Sequence, residues 1–194
     1  MDWFEDTRTT LALMPHGIKR ESAKGDPNGF RWVSKYGSVV ALMYGDIAVD
    51  GLNEAGLQAG GLYLAESDYG KRDTSRPGLA LNQGIQYLLD QYATVADAVD
   101  WLVKSDVQII PLMIGSKPGT GHLALADATG DSAIIEYVEG KLSVHHGPQY
   151  TVMANSPLYE EQLELQQRYQ GLGGGDTLPG GTDSPHRFAR AAYY

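Results

Sequence analysis

The apolar residues of this chain change period twice, from two to helical and back to two, and that alternation restricts it to a mixed architecture. Thr9–Pro15 reads as a strand closed by Pro15-His16-Gly17. Asp26-Pro27-Asn28-Gly29 is a turn, because proline presets φ and Asn-Gly tolerates positive φ. It leads into an extended Phe30–Ser34, and Tyr36-Gly37 leads into a second segment, Ser38–Met43. Ile47–Val49 and Leu57–Leu64 form the next pair, joined by a loop over 50–56. The glycines of Leu57-Gln58-Ala59-Gly60-Gly61-Leu62-Tyr63 mark a place where another backbone or a ligand comes close.

Between Gly78 and Tyr92 the period becomes helical, with Leu79, Ile85, Leu88 and Leu89 on one stripe. Thr94-Val95-Ala96-Asp97 has the form of a capping box and opens a second helix carrying Val95, Val99, Leu102 and Val103. From His122 the period is two again. His122–Asp127 and Ser132–Val138 flank a turn at 128–131, Lys141–His145 follows Glu139-Gly140, and Tyr150–Ala154 reads as a further strand. A helix over Leu158–Tyr169, a glycine-rich loop to Gly181 and a helical His186–Tyr193 complete the chain. No repeat and no linker interrupts residues 1–194, so one domain is expected, α+β with a mostly antiparallel sheet.

Composition narrows the function classes. A net charge of −9, with lysines and arginines dispersed and no cluster longer than Lys71-Arg72, argues against a nucleic-acid partner, which requires a basic face. No apolar run reaches the roughly 18 residues that cross a bilayer, so no membrane partner is expected. The absence of cysteine removes disulfides and thiolate metal sites and leaves the compartment open. His145 and His146 would point to opposite strand faces, and His122 has no carboxylate at ligand spacing, so no metal is expected. Gly173-Gly174-Gly175 lacks the lysine and hydroxyl of a phosphate loop. Asp127 fits a turn start, and Glu136 an ordinary strand face.

Three further positions have both a bland and a chemical reading. Asp2 is either a solvated chain start or a placed acceptor. Asn155 either caps the helix that Pro157 begins or presents an amide donor. Arg187 either opens a surface helix, three residues before Arg190, or supplies a fixed charge.

Taken in order, Asp2-Trp3, Trp32–Val39, Asp50–Leu57, Gly130–Tyr137, Asn155-Ser156-Pro157 and Arg187-Phe188-Ala189-Arg190-Ala191 resemble the cholylglycine (bile-salt) hydrolase and penicillin V acylase family. The resemblance spans nearly the whole chain. It implies part of a four-layer α-β-β-α sandwich of the N-terminal nucleophile hydrolases. It also implies a cysteine nucleophile whose own α-amine is the base, without metal or organic cofactor. An α-amine pKa of about 7.7–8.0 suits that proton transfer.

By this resemblance Asp2 holds the nucleophile's amine, Asn155 faces the developing oxyanion, and Arg187 lowers the pKa of a nearby thiol. Tyr63 falls where many penicillin V acylases have tyrosine and many bile-salt hydrolases asparagine, which makes it a substrate-binding candidate. The expected reaction is hydrolysis of a linear N-acyl amide such as a conjugated bile salt, penicillin V or an N-acyl homoserine lactone. The alternative is a catalytically dead fragment or a small-molecule-binding protein on the same fold. The family cysteine would lie upstream of Met1, and relatives continue beyond Tyr194. The chain is therefore expected to be one incomplete domain, truncated at both ends and inactive alone, with an exposed apolar face and poor solubility. Homo-oligomer formation is left to the full-length form.

Overall fold

The structure is a computed structural model that describes residues 6–114 and 117–194. In chain order the strands are β1 (Thr10–Met14), β2 (Lys19–Glu21), β3 (Arg31–Val33), β4 (Ser38–Met43), β5 (Ile47–Asn53), β6 (Gln58–Leu62) and β7 (Gly78–Ala80). Helices α1 (Leu81–Gln91) and α2 (Val95–Lys104) follow. Next come β8 (Gln108–Ile110), β9 (Met113–Ile114), β10 (Lys117–Pro118), β11 (His122–Ala126), β12 (Ser132–Val138) and β13 (Lys141–His146). Helices α3 (Tyr159–Gln166) and α4 (Ser184–Tyr193) end the order.

Seven strands form one sheet in the order β1-β4-β5-β6-β11-β12-β13, and every pairing within it is antiparallel. One row across it runs Ala12, Val40, Gly51, Ala59, Leu125, Ala133. Val40, Ala59, Leu125 and Ala133 join Leu88, Leu89, Val95 and Ala98 in the main core, so α1 and α2 cover this face. Gly51 is required here, since a Cβ would stand 2.6 Å from Leu89 Cδ1. Thr94 caps α2 as expected, accepting from Asp97 N at 3.2 Å, and Asp127 adds a second cap by accepting from Val95 N at 2.7 Å.

Among the described residues the opposite face is covered at one end only. Ile134 packs there with Ala154, Tyr159 and Phe188, which brings α3 and α4 onto β11 and β12. At the other end Leu13, Val39 and Leu52 stand in register across β1, β4 and β5 and are exposed. Leu11 and Leu13 are 78% and 82% exposed. The shallow depression on this end is lined by Leu13, Met14, Val39 and Leu52, and Tyr63, Asn155 and Arg187 are not part of it.

Three expectations are corrected. The loop over 50–56 begins only after Asn53: β5 runs on through Gly51, whose missing side chain admits Leu89. Asn53 then forms the turn, its Oδ1 accepting from Ala55 N and Leu57 N at 3.1 and 2.9 Å. Tyr150–Ala154 joins no ladder; Tyr150, Val152, Met153 and Ala154 pack instead into the cluster under α3 and α4. The third helix is shorter than expected, ending at Gln166, and Arg168–Gln170 instead meets Gly174 and Asp176 through backbone bonds. The parallel pair β7–β8 has no signal in the sequence pattern.

Candidate active site

Three of the four predicted site residues converge at the covered end of the sheet, in one chain of hydrogen bonds. Asp2 lies outside the described residues. Asn155 Nδ2 donates to the carbonyl of Tyr63, directly after β6, at 2.7 Å. Arg187 Nη2 donates to Asn155 Oδ1 at 3.0 Å, and its Nε donates to Thr182 O at 2.9 Å.

Both bland readings fail at these positions. The N-cap of α3 is Leu158, and it makes no side-chain cap bond, so Asn155 does not serve that helix end. Its carboxamide is committed instead to Tyr63 and Arg187. Arg187 is half-buried rather than displayed on a surface helix. Arg190, three residues on, is likewise turned inward, with Nη1 donating to Pro179 O and Gly181 O at 2.7 Å each. Tyr63 contributes its main-chain carbonyl to this network, while its side chain is exposed.

The sequence pattern explains how the corner forms. Pro185 starts α4, where a missing N–H costs nothing. Phe188 and Ala189 are the buried residues of that helix, which turns Arg187 toward the sheet. Phe188 meets Tyr159 edge-on at 5.7 Å between ring centroids. Burial, with Tyr150 and the Glu136 carboxylate nearby, pushes the Tyr159 phenol up to about 12.

Two residues beneath the corner went unrecognised in the sequence. Glu136, read as an ordinary strand face, is fully buried. Its two oxygens accept from Tyr159 N at 3.1 Å each, and Oε1 also bonds His122 Nδ1 at 2.9 Å. Its carboxylate thus anchors the start of α3, where negative charge is favourable. Gln162 is buried as well, its Nε2 donating to Asn155 O at 2.6 Å and Pro157 O at 2.7 Å. A carboxylate on the same strand face as Ile134 was the available signal for Glu136. Nothing in the sequence marked Gln162.

The arrangement can polarise a carbonyl. A cation on Oδ1 draws electron density from the Asn155 carboxamide and makes its N–H groups stronger donors. One N–H is held by Tyr63 O, which fixes the amide plane. The second meets no acceptor among the described residues. No group of three His, Cys, Asp or Glu side chains suited to a metal occurs among the described residues.

Comparison with known proteins gives this geometry its context. A penicillin V acylase of Pectobacterium atrosepticum is 41% identical over 203 residues, covering 100% of this chain and 54% of that protein. A bile salt hydrolase/transferase of Clostridium perfringens is 26% identical over 125 residues, 63% of this chain and 38% of that protein. The chain thus spans about half the length, or less, of the relatives it matches. Among solved structures, penicillin V acylase from Agrobacterium tumefaciens superposes with a TM-score of 0.90 at 46% identity, over 100% of this chain and 59% of that one. A variant of conjugated bile acid hydrolase from Clostridium perfringens gives 0.79 at 23% identity, over 97% and 64% of the two chains, a likeness of fold alone. The α+β fold expected from the sequence, that of the N-terminal nucleophile hydrolases, is the one these neighbours share. A model of the linear amide C–N hydrolases, choloylglycine hydrolase family, matches residues 1–194, and to that family this chain belongs.

Proposed function

We propose that this chain carries the oxyanion side of an amidase active site whose cysteine nucleophile lies on polypeptide preceding Met1. The α-amine of the cysteine takes the proton from the thiol of the same residue, and the resulting thiolate attacks the carbonyl carbon of an N-acyl amide. The second N–H of Asn155 donates to the oxygen as negative charge develops there, and Arg187 keeps that donor polarised. Collapse expels the amine, which takes the proton, and leaves a thioester. Water then hydrolyses the thioester and restores the thiol. Asp2 holds the α-amine, and no metal or organic cofactor takes part.

The observation that carries this reading is the Tyr63–Asn155–Arg187 chain of hydrogen bonds, which leaves one polarised N–H without an acceptor among the described residues. The bare apolar end of the sheet, with Leu11, Leu13, Val39 and Leu52, is consistent with a second layer supplied from outside these 194 residues. Penicillin V is the favoured substrate over a conjugated bile salt. The relatives at 41% and 46% identity are named for penicillin V, and those at 26% and 23% for bile salts or bile acids.

The test compares the 194-residue chain with the longer protein read from its gene, each assayed on penicillin V and a glycine-conjugated bile salt. Turnover by the longer protein alone is expected. Hydrolysis by the cysteine-free chain itself would overturn the nucleophile assignment. The cysteine-free composition also favours a second reading, a binding protein on the same fold. Saturable binding of penicillin V by the longer protein without turnover would select it.

A further inference from the structure

We infer that Gln162 is a positioning residue for Asn155, holding the main chain from which that side chain projects. The inference rests on the amidase reading for its kinetic consequence, though not for its structural one.

Gln162 lies in the first turns of α3 and is 1% exposed. Its carboxamide nitrogen has two N–H groups, and both reach back out of the helix. One goes to Asn155 O at 2.6 Å and the other to Pro157 O at 2.7 Å. The Gln162 Oε1 is buried and has no hydrogen-bond partner among the described residues. A carboxamide sealed away with its oxygen unsatisfied is a poor choice for helix packing alone, where an apolar side chain would serve better. What the residue gains is confined to the two carbonyls of the Asn155-Ser156-Pro157 corner.

That corner has no ladder to hold it, because 150–157 joins no strand. Its shape therefore depends on side chains. Ser156 Oγ accepts from Ala65 N at 3.2 Å on one side. On the other, Glu136 fixes Tyr159 N and with it the start of the helix from which Gln162 reaches. Asn155 is thus clamped at three atoms: its carbonyl by Gln162, Oδ1 by Arg187 and Nδ2 by Tyr63. Removing the first clamp frees the peptide that aims the other two. A displacement of about 1 Å in such a donor is enough to cost on the order of a hundredfold in rate.

The test is Gln162→Met in the longer protein, which keeps the volume and removes both donors. On penicillin V, kcat should fall between about tenfold and a hundredfold, with KM changing by less than about threefold. In an Asn155→Ala background the same change should cost less than about twofold, because Gln162 acts through Asn155. An unchanged kcat, or an equal loss in both backgrounds, overturns the inference. A crystal structure of Gln162→Met decides the matter without activity. Loss of the Asn155–Tyr63 hydrogen bond supports the role, and an unmoved Asn155 refutes it. Should the unaltered longer protein hydrolyse no amide, only the amidase reading falls. If Gln162→Met does not fold, Gln162→Asn, one methylene short of both carbonyls, is read in the same way.

Discussion

Phe188 stands edge-on to Tyr159, their ring centroids 5.7 Å apart, and this contact sets where Arg187 meets Asn155. Tyr159 opens α3, Phe188 lies in the middle of α4, and both are fully buried. The two helices are therefore locked in register by the residue that follows the arginine.

Phe188→Ala should cost about 3–5 kcal/mol, since it empties a buried aromatic site between two short helices. Urea unfolding of the longer protein measures this. A loss below about 1 kcal/mol would mean that the helices are held together elsewhere.

Arg187→Lys should lower kcat by at least about tenfold although charge is conserved. A single ammonium cannot reproduce a fork that donates to Thr182 O and Asn155 Oδ1 together. Asn155→Ala should cost more, about a hundred- to a thousandfold in kcat with little change in KM, as for an oxyanion donor. Steady-state kinetics on penicillin V check both, and equal kcat in either variant removes that residue from the mechanism.

The Asp26–Arg72 pair should shape the acid limb of stability. Arg72 donates to both carboxylate oxygens, at 2.7 and 2.9 Å, and chiefly through this bonding Asp26 is held down to about 2. An aspartate in an unfolded chain titrates near 3.9. A carboxyl with a depressed folded pKa contributes stability that is complete above the unfolded value and is lost as pH falls toward the folded one. Melting temperature should thus decline between about pH 4 and pH 2, and Asp26→Asn should flatten that decline. An identical slope in the variant would locate the acid sensitivity elsewhere.

The bare end of the sheet makes a prediction for the 194 residues taken alone. Leu11 and Leu13 lie on the edge strand β1, so the chain should self-associate, and Leu11→Lys with Leu13→Lys should reduce that association. Sedimentation velocity reads both. A monodisperse, cooperatively melting unaltered chain would count against a missing second layer.

Much of the fold was legible from local chemistry. β1, β4, β11, β12 and β13 follow period-two apolar patterns between turn residues, and α2 follows its Thr94 cap and stripe. The failures share one cause. Gly51 looked like a turn residue because a missing Cβ breaks local propensity, whereas the strand continues there to make room for Leu89. Tyr150–Ala154 looked like a strand because most of its residues are apolar, but they pack with Tyr159 and Phe188, 5–38 residues away in sequence, rather than joining a ladder. Glu136 read as an ordinary strand face although it shares that face with Ile134, because nothing local records that the start of α3 is placed over it.

What the chain determined unaided was therefore the kind of each element and its order, because hydrophobic period and turn chemistry act over a few residues. It also determined which residue types were available for chemistry: an amide at 155, a guanidinium at 187, and no thiol at all. Only the tertiary structure decided that Tyr63, Asn155 and Arg187 meet, across separations of 92 and 32 residues, and that Gln162 and Glu136 stand beneath them. The reason is physical. Hydrogen-bond partners so far apart are set by how buried faces such as those of Ile134, Tyr159 and Phe188 fit together, and no local pattern records that fit.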